Sequence, residues 1–212
     1  MDKKPTKGHY VEVLLRSPQT VFSMKDIVLL WGEEAGNAMR VRLNNYVKNG
    51  KLIRVYRGIY AKDTNYNRLE LATRMYTPSY VSFETVLTRA GINFQFYNTI
   101  FVASYVTRDI DAGGEKFSFV RMKDYVLSNT AGIEHRDGIA IATKERAFLD
   151  RIYVSKEYHF DNVGGLDRDK VCALLPIYHS KRMDKKVQEY FDHYDAEGAA
   201  ASGAGKTSGH SS

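Results

Sequence analysis

Within its first sixty residues the chain holds three helix-period segments, followed by two short β-prone runs around a glycine turn, and that order constrains the fold most. Tyr10, Val13 and Leu14 share one face of a first helix. It ends before Ser17-Pro18, because a proline disfavours helical conformation at its predecessor. Ser23 then stands ahead of Met24, Lys25 and Asp26 in a capping-box arrangement, its hydroxyl accepting a free backbone N–H while the acid occupies the first turn. This second helix runs through Ile27, Val28, Leu30 and Trp31 and stops at Gly32. After Glu33-Glu34, Met39, Leu43, Tyr46 and Val47 recur at spacings of three and four in a third helix closed by Asn49-Gly50. Leu52 to Tyr56, the pair Arg57-Gly58 and Ile59 to Ala61 form a hairpin. Helix, helix, helix, hairpin is the order of a winged helix-turn-helix.

Charge collects in the same region. The chain of 212 residues has a formal net charge of +6. Residues 1–62 hold 12 Lys and Arg against 5 Asp and Glu, a net of +7, and the remainder holds 19 against 20, a net of −1. A basic module that meets a polyanion, joined to a larger module with another task, fits this asymmetry. From Gly36 to Ala61 there are six Lys or Arg and no acid. With Met39, Leu43, Tyr46 and Val47 turned inward, the third helix presents Asn37, Arg40, Asn44 and Lys48 on its outer side, flanked by Arg42 and Asn45. Arg bonds bidentately to guanine O6 and N7, and Asn does the same to adenine N6 and N7, so this face suits base edges in the major groove. Lys48, Lys51, Arg54 and Arg57 suit phosphates beside the helix and under the wing.

From Asn65 a second module mixes helices and strands without regular alternation, so the chain reads as α+β: a winged helix-turn-helix over 1–64, a mixed α/β domain over 65–196 and an unstructured tail over 197–212. Helices are expected over Arg68 to Met75, over Phe83 to Ala90 with Ser82 as cap, from Thr143 to Tyr153, near Lys170 to Leu175 and from Arg182 to Tyr194. Thr99 to Thr107 and Lys116 to Lys123 read as an antiparallel pair around Asp111-Ala112-Gly113-Gly114. Ile133 to Arg136 and Ile139 to Ala142 form a hairpin across Asp137-Gly138. Asp63-Thr64-Asn65 reads as a linker between modules that each own a core.

Catalytic, cofactor and metal chemistry find no foothold in this pattern. The single cysteine, Cys172, makes no internal disulfide, and neither it nor the six histidines fall at metal-ligand spacings, which fits a reducing cytoplasm. No apolar run reaches the roughly 18 residues that a membrane span needs. AASGAGKT, Ala200 to Thr207, meets a relaxed phosphate-loop pattern but lacks the strand before it and the helix after it. His135-Arg136-Asp137 resembles a kinase catalytic loop, yet Ala142 stands where the Asn is required and no Gly-rich loop accompanies it. His159 and Asp161 have no nucleophile or second carboxylate at a telling spacing and read as a polar loop.

Three segments resemble AbiEi-type antitoxins, the regulatory partners in bacterial abortive-infection toxin–antitoxin pairs of type IV. They are Arg57-Gly58-Ile59-Tyr60, then Tyr80-Val81-Ser82-Phe83-Glu84-Thr85-Val86-Leu87 with Gly91-Ile92, and Ile139-Ala140-Ile141-Ala142-Thr143-Lys144-Glu145-Arg146-Ala147-Phe148-Leu149-Asp150. The resemblance spans roughly Lys7 to Tyr153. It implies a winged helix that binds double-stranded operator DNA and represses its own operon; separately, a dimer that places one winged helix on each of two half-sites would occupy an inverted repeat. The resemblance also implies a C-terminal domain needed against a nucleotidyltransferase-like toxin from the adjacent gene, with no catalysis in this chain. Taken as plain structure, the second and third segments are amphipathic helices whose Phe148, Leu149 and Ile152 face inward. A protein-interaction module that docks an acidic partner on the winged helix is the competing reading.

Overall fold

Ser17-Pro18 ends α1 (Tyr10–Arg16), and a three-residue strand, β1 (Val21–Ser23), follows before the second helix begins. A computed structural model describes residues 9–204 and defines these elements. Ser23 is both the end of β1 and the cap of α2 (Met24–Trp31). Its hydroxyl accepts the Asp26 N–H at 3.3 Å, and its own N–H donates to Asp26 Oδ2 at 2.7 Å. Gly32 ends α2 in the left-handed region, φ 62°. α3 (Asn37–Lys48) leads into β2 (Ile53–Tyr56) and β3 (Ile59–Ala61), and β3 lies between β1 and β2 in an antiparallel sheet. Three helices packed on such a sheet make a winged helix-turn-helix. Its core gathers Tyr10, Leu14, Phe22, Ile27, Trp31, Met39, Leu43 and Tyr60. Trp31 donates its indole N–H to the Tyr10 carbonyl at 2.9 Å, which ties α2 to α1.

The rest of the described chain is α+β. α4 (Arg68–Met75) precedes β4 (Ser79–Val81), α5 (Glu84–Arg89), β5 (Thr99–Ser104), β6 (Arg108–Ala112) and β7 (Glu115–Arg121). Then come α6 (Asp124–Leu127), the hairpin β8 (Ile133–Arg136) and β9 (Ile139–Ala142), α7 (Lys144–Val154), α8 (Arg168–Leu174) and α9 (Lys181–Ala204). The strands form one mixed sheet in the order β6-β7-β5-β4-β9-β8. The pairing of 99–107 with 116–123 is parallel, not antiparallel, running from Thr99 opposite Lys116 to Ser104 opposite Arg121. Two reversals explain it: the chain turns back after β5 to form β6, and the Gly113-Gly114 turn brings β7 forward again.

Two further expectations change. Ser82 does not cap α5; Phe83 holds that position at φ 53° with no side-chain cap, and the Ser82 hydroxyl donates to Asp150 Oδ2 at 2.7 Å instead. The tail expected from Glu197 is helical as far as Ala204, because α9 continues through an alanine-rich run of high helix propensity. Residues 205–212 lie outside the described residues, as do Gly205, Lys206 and Thr207 of the phosphate-loop look-alike. Its remaining residues are helix.

The segments Tyr80–Leu87 and Ile139–Asp150 meet in a buried polar network. Arg146 and Asp150 are both fully buried, with Arg146 Nε 3.3 Å from Asp150 Oδ1. Arg146 also donates to the carbonyls of Val126 at 2.7 Å and Ala131 at 2.8 Å, and to the Tyr80 hydroxyl at 3.1 Å. Asp150 accepts from Tyr178 at 2.7 Å, Ser82 at 2.7 Å and Tyr80 at 3.2 Å. Burial pushes the Tyr80 and Tyr178 hydroxyls far up, so both stay protonated and donate. The network pins β4, α6, α7 and the segment before α9 together, which gives both segments a structural explanation.

The two modules share a core as well as owning one each. Val21, Ile59 and Ala61 of the winged helix join Tyr66, Leu71, Ala72, Val102, Ala112, Phe117 and Phe119 in one buried cluster. Polar bonds run alongside: Glu70 Oε2 accepts from the Thr20 N–H at 2.9 Å and hydroxyl at 2.6 Å, and Arg74 pairs with Asp26 at 2.7 Å. Asp63-Thr64-Asn65 therefore crosses a packed joint rather than a free linker.

Candidate nucleic-acid interface

Met39 and Leu43 of α3 are buried, and Tyr46 packs its ring 6.5 Å from Trp31, so the inward face is fixed by the helix spacing. Asn37, Arg40, Asn44, Asn45 and Lys48 are exposed on the other side, and Lys51 and Arg54 continue the exposed row onto the loop and β2. Arg40, Lys48, Lys51, Arg54 and Arg57 have no ion-pair partner among the described residues. Gly36, the residue ahead of α3, provides no side-chain cap, so the first turn keeps its backbone N–H groups and the positive end of its dipole open.

Arg42 does not belong to this face. It sits on the inward flank of α3, where its guanidinium stacks 3.8 Å over the Tyr10 ring and pairs with Glu33 at 2.8 Å. The Tyr10 hydroxyl also donates to Glu33, and that bond pushes the hydroxyl up. Arg42 thus ties α3 to α1 and neutralises one of the two acids that precede the helix.

Arg57 is exposed but stands apart from α3. It lies in the turn just past the far end of β2, about 13 Å along the chain from Ile53. The turn it forms with Gly58 is held against the start of α2, where the Met24 N–H donates to the Gly58 carbonyl at 3.1 Å. Val55 and Tyr56 pack into the cluster shared with the second module. The wing is short and docked.

Val41 completes the α3 face with an apolar side chain among polar ones. It is 53% exposed at the centre of the face, one turn from Asn37 and from Asn44 and Asn45. Its position follows from helical spacing alone. A small apolar side chain there suits a thymine methyl group among Arg and Asn donors.

Among the described residues no group of three His, Cys, Asp or Glu is placed to hold a metal ion, and no helix is long and apolar enough to cross a membrane. No family model matches the chain, and no curated protein matches it.

Proposed function

We propose that this protein is a sequence-specific DNA-binding transcriptional regulator of the cytoplasm, the antitoxin-like member of a type IV (AbiE-like) toxin–antitoxin module that represses its own operon. The carrying observation is the exposed face of α3, on which Asn37, Arg40, Asn44, Asn45 and Lys48 surround Val41 and meet no paired acid. Arg40, Asn44 and their neighbours read base edges in the major groove, and Lys51 and Arg54 hold adjacent phosphates. The second module does no chemistry of its own in this reading and acts against a nucleotidyltransferase-like toxin from the adjacent gene.

A co-expression assay tests the antitoxin half. The neighbouring gene should be toxic alone and harmless beside the full chain. A neighbour that is harmless alone removes the antitoxin assignment and leaves the regulator.

One observation favours docking of an acidic protein partner instead. Val41 on α3 and Leu29 on α2, 80% exposed, give the winged helix an apolar element that a protein interface uses at its centre. Binding to duplex DNA that distinguishes the upstream sequence from random sequence decides for the regulator.

A further inference from the structure

Between α4 and α5 the second module holds an open cleft of about 580 Å³, within the size range of small-molecule sites, for which DNA binding has no use. One wall is Glu84, whose side chain is 4% exposed and whose Oε1 lies 3.2 Å from Arg151 Nε. Its Oε2 is buried without a close hydrogen-bond donor, the Tyr158 hydroxyl bearing on the same carboxylate from further off. A buried carboxylate oxygen left without a donor is destabilising until something donates to it.

Phe96 also lines the cleft, 87% exposed on the loop between α5 and β5. The loop is anchored: the Phe94 N–H donates to Asp161 Oδ2 at 2.7 Å, and the Thr88 hydroxyl donates to the Gln95 carbonyl at 3.1 Å. An anchored loop that keeps an aromatic ring in water offers a ready stacking face. Arg89, exposed and without an ion-pair partner among the described residues, completes the rim.

An acceptor carboxylate, an aromatic face and an unpaired guanidinium match the three parts of a nucleotide: base N–H donors, base ring and phosphate. We propose that this cleft binds a nucleoside monophosphate, with the base stacked on Phe96 and donating to Glu84, and the phosphate on Arg89. The same cleft touches the joint between modules. Asn67 lines it and donates its backbone N–H to Thr20 Oγ1 of the winged helix at 2.8 Å.

Calorimetric titration of the full chain without DNA tests the proposal independently of the regulator reading. AMP, GMP, CMP and UMP are each added to about 1 mM, enough to register weak binding. At least one should bind, and Phe96→Ala and Arg89→Ala should each weaken it about tenfold. Both side chains are exposed, so both variants should melt as the parent does. Arg40→Ala, on α3, should leave nucleotide binding unchanged. Silence from all four nucleotides, or equal binding by the parent and the Phe96 and Arg89 variants, overturns the proposal.

Discussion

Arg40 and Arg42 sit in one helix and do different work. Arg40 faces solvent on the side opposite Met39 and Leu43, whereas Arg42 stacks on Tyr10 and pairs with Glu33. Arg40→Ala or Asn44→Ala should therefore weaken binding to specific DNA by about 1–3 kcal/mol, with a smaller loss on random DNA and an unchanged melting temperature. Competition gel shifts with both DNAs check this, and equal losses on the two would make these residues phosphate contacts. Arg42→Ala should lower the melting temperature, through loss of the stacking contact that joins α1 and α3. Asp150→Asn leaves the Arg146 guanidinium buried without its counter-charge, and urea unfolding should show a loss of about 3–5 kcal/mol. Helical spacing revealed Arg40 and could have revealed Val41. It could not reveal the partners of Arg42 or Arg146, since Tyr10, Tyr80 and the Val126 carbonyl belong to elements that only folding brings near.

Elements with strong local signals were legible in the chain. The capping box at Ser23, the Thr143 cap and the Asp137-Gly138 turn are made by neighbours in sequence, and each forms where the residues place it. The three-residue strands β1 and β4 left no trace, because alternation over three residues cannot be told from chance, and their pairing partners are distant in sequence. Ser82 had the composition of a cap, but a buried carboxylate competed for its hydroxyl and won. The turn between β6 and β7 was recognised and its partners misjudged, because a glycine pair marks a reversal without saying which strand it returns to. Gly113 is needed there for two reasons: its φ is +59°, and a Cβ would lie 1.8 Å from the Tyr66 hydroxyl. Gly113→Ala should cost about 1–3 kcal/mol in chemical unfolding. Gly114→Ala, with open space around it but φ +81°, should cost less.

At the scale of the whole molecule the charge asymmetry between the two modules could be counted from composition, but the joint could not, since burial of Val21, Ile59 and Ala61 under α4 and the second sheet is a tertiary fact. The fragment 1–64 should accordingly unfold at lower temperature than the same module in the full chain, because these residues lose their cover. A fragment as stable as the intact module, compared by heat-induced change in Trp31 fluorescence, would mean that the shared cluster contributes little. The central claim is that α3 and its basic neighbours engage duplex DNA, and fluorescence anisotropy of the full chain against a labelled upstream duplex and a random duplex tests it most directly. With Arg40, Lys48, Lys51 and Arg54 unpaired, affinity should fall about 10²-fold between roughly 50 and 200 mM salt, through counterion release. The upstream duplex should bind more tightly than the random one throughout. Affinity that stays level across that salt range, or no binding to either duplex at the lowest salt, would contradict the claim.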